Sequence, residues 1–201
     1  MKNFEKYKKG YFMPPVCEMK WAKKESPDKA PLWCSVDLRD GNQALVAPMT
    51  AEEKLYFFSY LVKLGFKEIE VGFPAASDTE FSFIRTLIEE NLIPDDVTIQ
   101  VLSQIRPHIL KKTFEAIDGA KNAIVHIYNS TSRVQRKAVF NFTPEETVAL
   151  AEKGAAMCLE MAKTVHVENL TFEYSPESFS ATEPEIALRT VNAVIDVFSP
   201  A

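Results

Sequence analysis

Five short apolar runs of β type, each followed by a longer stretch of helical pattern, constrain this chain more than any other feature. The runs are LWCSVDL (32–38), KEIEVGF (67–73), VTIQVLS (97–103), NAIVHIY (122–128) and VENLTFEY (167–174). Between them, helix starts are marked by chemistry as well as by periodicity. Ser or Thr followed three residues later by Glu can satisfy two orphan backbone donors reciprocally. That pattern occurs at Thr50 with Glu53, Ser77 with Glu80, Thr143 with Glu146 and Thr182 with Glu185. Pro144 falls at a first helical position, where a missing N–H costs nothing, and Gly119 is placed to cap a helix over 107–118. Nearly continuous apolar strands alternating with helices predict a parallel sheet with right-handed crossovers. The predicted class is α/β, in the order βαβαβαβαβα.

Strand starts near 32, 67, 97, 122 and 167 give units of roughly 34 residues, so eight units would span about 270, the size of a TIM barrel. A five-stranded open sheet of the flavodoxin kind fits the same spacing, although no glycine-rich βα turn marks a dinucleotide site. Spacing alone leaves the two architectures level. Residues 1–31 mix Lys, Tyr, Phe and Pro without sustained periodicity and read as an N-terminal extension before a domain over 32–201.

A net charge of −5 repels polyanions and argues against nucleic-acid binding. No apolar run reaches the ~18 residues of a membrane span, and the lysine-rich start lacks the plan of a signal peptide, so a cytoplasmic protein is expected. Three widely spaced cysteines, Cys17, Cys34 and Cys158, fit neither a disulfide framework nor a CxxC zinc site.

In either architecture chemistry sits at the carboxyl ends of the strands, and those segments are polar here: DLRDGNQ (37–43), GFP (72–74), SQIR (103–106), YNSTSR (128–133) and FEYSPES (172–178). Arg39 and Asp40 are consecutive, so a turn at Gly41-Asn42 is needed to bring both to one mouth. A structural role, with Arg39 paired to Asp37 or a neighbouring strand, competes with a functional one. His126 lies inside an apolar run, where a satisfied core residue is the commoner outcome.

Taken together, LRDGNQAL (38–45), EVGFPAASDTEF (70–81), VLSQIRP (101–107), IVHIYNSTS (124–132) and FEYSPESFSATE (172–183) resemble the 2-isopropylmalate synthases. These belong to the acyl-CoA condensing TIM-barrel enzymes, with citramalate and homocitrate synthases and hydroxymethylglutaryl-CoA lyases. The resemblance runs over about residues 11–201. It implies a (β/α)8 barrel, of which this chain covers about the first five units, and a condensation of acetyl-CoA with 2-oxoisovalerate that opens leucine biosynthesis. It implies Asp40 as a ligand of a divalent metal, with Mg, Mn and Zn undistinguished, and Arg39 as the cation facing the developing alkoxide. Glu177 joins Arg39 as a candidate catalytic group. Leu102, His126, Tyr128, Glu173 and Ser175 match positions lining the oxoacid pocket, and Gln43 and Gln104 match donors behind them. Glu173 stands where a homocitrate synthase carries an arginine, which argues against 2-oxoglutarate. A homodimer is implied for the complete enzyme.

One departure matters. The family's two further metal ligands form an HxH motif, and the three histidines here, His108, His126 and His166, make none. The expectation is a partial catalytic domain, without its remaining units and regulatory domain, that is inactive alone. A citramalate synthase of the same group is the near alternative. A non-catalytic partner, or a subunit of a split enzyme, is the alternative of another class.

Overall fold

The computed structural model describes residues 16, 18–24 and 29–199. The chain divides into two compact units, Met1–Leu32 and Trp33–Ala201. In the first, the described residues include one 3-10 turn, Trp21–Lys23. Cys17 lies outside the described residues.

The second unit holds five strands: β1 (Cys34–Ser35), β2 (Glu68–Gly72), β3 (Thr98–Gln104), β4 (Asn122–Ser130) and β5 (Asn169–Glu177). Every pairing is parallel and the spatial order is β1-β2-β3-β4-β5. Strands laid down in chain order, each joined by a right-handed crossover, put every helix on one face. A doubly wound sheet reverses its order at a switch point; this one does not, so the sheet is an arc of a barrel wall. The helices are α1 (Ala51–Leu64), α2 (Asp78–Glu89), α3 (Pro107–Ile117), the single turn α4 (Arg133–Gln135), α5 (Pro144–Ala162) and α6 (Pro184–Phe198).

One side of the sheet and one side of the helices make the core. Ile69, Val71, Ile99, Val101, Ala123, Val125 and Ile127 are fully buried and pack with Phe58, Leu61, Phe83, Leu87, Leu110 and Phe114. Alternation along each strand turns the intervening residues to the opposite, inner face of the arc. The inner face is therefore where Glu70, Gln100, Leu102, Gln104, His126, Tyr128, Glu173 and Ser175 emerge. Gly154 of α5 is a packing requirement, since a Cβ there would meet Ile105 side-chain carbons at 2.6 to 2.8 Å.

The helix starts follow the sequence at two places in full. Thr50 with Glu53 and Thr143 with Glu146 form complete capping boxes, and Pro144 is the first residue of α5. Ser77 caps α2 by accepting from the Glu80 N–H, but the Glu80 carboxylate is drawn to Lys54 and to the Phe73 N–H. The box at Thr182 does not form. The Thr182 hydroxyl is shared with Thr131 and with the Ser178 carbonyl, and Glu183, at the N-cap position of α6 but making no capping bond with its side chain, holds Arg136 in a two-pronged pair at 2.8 and 2.7 Å. Gly119 adopts φ +85° just beyond α3, as expected of a cap. The first strand is far shorter than its apolar run. The chain leaves the extended conformation after Ser35 and enters a wide turn of π-helical type at Asp37–Gly41.

Candidate functional site

The turn at Asp37–Gly41 sets three side chains in three directions. The Val36 carbonyl accepts from the N–H groups of Arg39, Asp40 and Gly41 at 3.3, 2.9 and 3.1 Å, which tightens the loop at the strand end. Leu38 is fully buried in the core. Arg39 swings inward with its side chain 16% exposed, while that of Asp40 is 64% exposed and accepts from Arg39 Nη1 at 2.8 Å. Asn42 is buried and accepts from the Met49 N–H at 2.8 Å, tying the loop to the start of α1.

Arg39 ends on a carboxylate that sequence reading passed over. Glu70 of β2 is fully buried and accepts a short hydrogen bond from Arg39 Nε. Its other oxygen accepts from Gln100 Nε2 at 2.8 Å and lies 3.2 Å from His126 Nδ1. Burial pushes the Glu70 pKa up, but hydrogen bonds from His126 and Gln100 and the adjacent Arg39 charge prevail and hold it below the ordinary carboxylate value. With Glu70 ionised, His126 donates from Nδ1, which leaves Nε2 to accept from the Ser175 hydroxyl at 2.7 Å. Glu173 Oε1 stands 3.5 Å from the same nitrogen. A signal for Glu70 and Gln100 was present in the sequence. A glutamate on the inner face of a buried apolar strand must find a cation and donors or remain neutral.

Strand register sorts the remaining candidates into rows. Leu102 lies opposite His126, and His126 opposite Glu173. One row nearer the mouth, Gln104 lies opposite Tyr128, and Tyr128 opposite Ser175; beyond it Ser130 pairs with Glu177. Leu102, Gln104 and Tyr128 are half-buried, whereas Glu173 and Glu177 are exposed. Glu177 accepts a short hydrogen bond from the Ser130 hydroxyl. Burial raises the Tyr128 pKa, and the nearby Glu177 charge adds to the effect. Gln43 is exposed and sits on the loop outside this network. Arg39, Asp40, His126, Glu173 and Ser175 are thus joined through Glu70, Leu102, Tyr128 and Gln104 flank them in register, and Gln43 stands apart.

Cys34 of β1 faces the same interior, its thiol 3.9 Å from Gln100 Oε1. Burial, with the Glu70 charge next, pushes its pKa up to about 11, so it stays a neutral thiol. Among the described residues no group of three His, Cys, Asp or Glu converges as a metal centre would require. Asp40 offers one carboxylate, already engaged by Arg39, and the described residues do not form a complete metal site by themselves.

The sequence of this chain has known relatives. The 2-isopropylmalate synthase of Helicobacter hepaticus is 61% identical over 198 residues, covering 98% of this chain and 35% of that protein. The 2-isopropylmalate synthase of Desulfitobacterium hafniense is 60% identical over 200 residues, covering 100% of this chain and 36% of that protein. The chain therefore spans about a third of the length of these relatives. Among solved structures, the HMG-CoA lyase of Bacillus subtilis superposes with a TM-score of 0.61 at 14% identity, covering 83% of this chain and 55% of that one. That likeness carries the fold, and with the sequential parallel order it identifies the arc as consecutive units of a (β/α)8 barrel. The HMGL-like family profile matches residues 30–199, and the chain belongs to the HMGL-like family.

Proposed function

We propose that this chain is the part of a 2-isopropylmalate synthase that carries the oxoacid-binding wall, condensing acetyl-CoA with 2-oxoisovalerate in the complete protein. The observation that carries the reading is the buried Glu70, which holds Arg39 on one side and His126 on the other. Condensation turns a keto oxygen into an alkoxide, and a guanidinium fixed at the mouth offsets that charge without reorganising. Arg39 is fixed through Nε by Glu70. His126, and Ser175 held on its Nε2, line the place of the oxoacid carboxylate, and Leu102 and Tyr128 supply half-buried surface for its branched chain. Glu173 disfavours a second substrate carboxylate through like charge. Glu177, paired with Ser130 at the rim, is proposed as the acid–base group, with Gln43 and Gln104 as supporting donors. Asp40 is proposed as one ligand of a divalent cation, Mg, Mn or Zn, whose other ligands would come from outside this chain; such a cation would supply Lewis-acid polarisation of the keto group. Residues 32–201 then form part of a catalytic domain behind an N-terminal extension, in a cytoplasmic homodimer.

The test is thiol release by the full-length protein with acetyl-CoA and 2-oxoisovalerate, run against pyruvate. A preference for 2-oxoisovalerate and loss of turnover in Asp40→Ala are expected. A preference for pyruvate selects the citramalate reaction, and near-normal turnover of Asp40→Ala removes that residue from the mechanism.

One geometry favours a second reading. Ser175, His126 and Glu70 stand in the order nucleophile, base and orienting acid, with contacts of 2.7 and 3.2 Å. A thioester hydrolase acting through Ser175 would leave an acyl group on that residue, detectable as a mass increase after quenching. An unmodified Ser175 during turnover dismisses it.

A further inference from the structure

The carboxylate proposed as the acid–base group hangs from a backbone that turns sharply beneath it. Glu177 ends β5, and the next residue, Ser178, adopts φ +59° and ψ +41°. This is the left-handed region, which residues other than glycine enter only where the surroundings compel it. A single 3-10 turn, Phe179–Ala181, then leads to α6. The Glu177 side chain is exposed and reaches back to the strand wall through the Ser130 hydroxyl. Its direction therefore depends on what fixes the turn.

Two buried threonines fix it. Thr131, fully buried just past the end of β4, donates its N–H to the Glu177 carbonyl at 3.2 Å, and its hydroxyl stands 3.2 Å from the same oxygen. The Thr182 hydroxyl, on the far side of the turn, stands 3.1 Å from the Ser178 carbonyl and 2.8 Å from the Thr131 hydroxyl. Each hydroxyl carries one proton, so two protons serve three contacts. They run either from Thr131 through Thr182 to the Ser178 carbonyl, or from Thr182 through Thr131 to the Glu177 carbonyl. In both orders the threonine pair stays bonded, and the end of β4 stays tied to the turn after β5. Arg136, buried in the connection after β4, adds a second tie by holding Glu183, the neighbour of Thr182.

We propose that Thr131 and Thr182 are positioning residues for Glu177: their paired hydroxyls hold the turn at Ser178 and, through it, the aim of the carboxylate. The inference rests on the condensation reading, in which Glu177 moves the proton, and adds what keeps that group in reach. Proton transfer requires hydrogen-bond distance, so a carboxylate displaced by about 1 Å loses rate while substrate binding elsewhere on the wall is spared.

Thr131→Val and Thr182→Val keep the branched shape and remove the hydroxyl, whereas Thr131→Ser keeps the hydroxyl. In the full-length protein each valine variant is expected to lower kcat about tenfold or more, with KM for 2-oxoisovalerate held within about twofold. Thr131→Ser restores most of the rate. Adding Thr131→Val to Glu177→Gln costs nothing further, because a group that acts through Glu177 has nothing left to act on. Thr182→Val, at the turn, serves the same comparisons where Thr131→Val does not fold. An unchanged kcat per folded molecule, equal losses in Thr131→Ser and Thr131→Val, or losses that multiply in the double variant overturn the assignment. Near-normal turnover of Glu177→Gln also overturns it and leaves the condensation reading standing. Should the wild type condense no oxoacid, the condensation reading itself fails, and hydrogen exchange over residues 129–132 decides the tie. The Thr131 amide is then expected to exchange about tenfold faster in Thr182→Val than in wild type, and equal exchange overturns the tie.

Discussion

At the scale of single residues, Glu70 carries the greatest electrostatic load in the inner face. It is fully buried, and its two oxygens serve Arg39, Gln100 and His126. Because its folded pKa is held below the ordinary value of 4.5, the native state binds this proton less readily than the unfolded chain. Its contribution is then fully present above about pH 4.5 and fades as pH falls through the lower folded value. Replacing Glu70 with Gln leaves Arg39 only the exposed Asp40 as a charge partner, and breaking a buried pair in this way costs about 3 to 5 kcal/mol. Urea unfolding should therefore show Glu70→Gln less stable than wild type at pH 7, with the gap closing in acid. A gap that does not change with pH contradicts the charged network. Arg39, Asp40 and Ser175 were legible because they lie in polar strand ends, and His126 because a lone histidine stands out inside an apolar run. Glu70 and Gln100 escaped because they sit inside runs whose apolar neighbours advertise only burial.

At the scale of elements, a second buried pair holds the helices to the mouth of β2. Lys54 of α1 is fully buried, lies 2.5 Å from Glu80 Oε1 of α2 and sits over the Phe83 ring at 4.6 Å. The other Glu80 oxygen accepts from the Phe73 N–H in the loop after β2. Burial lowers the Lys54 pKa, so stranding its ammonium is costly. Glu80→Ala is expected to lose about 3 to 5 kcal/mol in chemical denaturation, and adding Lys54→Met should recover most of it, since replacing both charges removes the burial penalty as well. Equal losses in the single and double variants would show that the pair does not matter. Most elements were legible: β2 to β5 and the capped starts of α1 and α5 follow apolar runs and reciprocal Thr–Glu spacing. The short turns at 37–41 and 133–140 were not, because a single turn has no periodicity to read. The box at Thr182 failed because its hydroxyl is taken by Thr131, far off in sequence, and by the Ser178 carbonyl, and the helix starts one residue later, behind Glu183.

At the scale of the whole molecule, the sheet is closed on the helix side and open within. β5 has β4 on one edge, and among the described residues no strand on the other. Glu173 and Thr171 of its inner face are exposed. Unpaired strand edges recruit further strands. A polypeptide of these 201 residues alone is thus expected to self-associate in sedimentation velocity runs as concentration rises, and a strictly monomeric sample would contradict this. Among the described residues no helix is long and apolar enough to cross a membrane.

The alignment of β2, β3 and β4 carries one more consequence, for how the chain proofreads its own folding. A slip of β3 by a single residue would turn Gln100 and Leu102 toward the helices and push Ile99 and Val101 into the polar interior. Glu70 would then face a hydrocarbon neighbour in place of the Gln100 amide. Misaligned intermediates are thus penalised at the buried Glu70–Gln100 pair, so the polar inner face and the correct threading of the barrel wall stand or fall together.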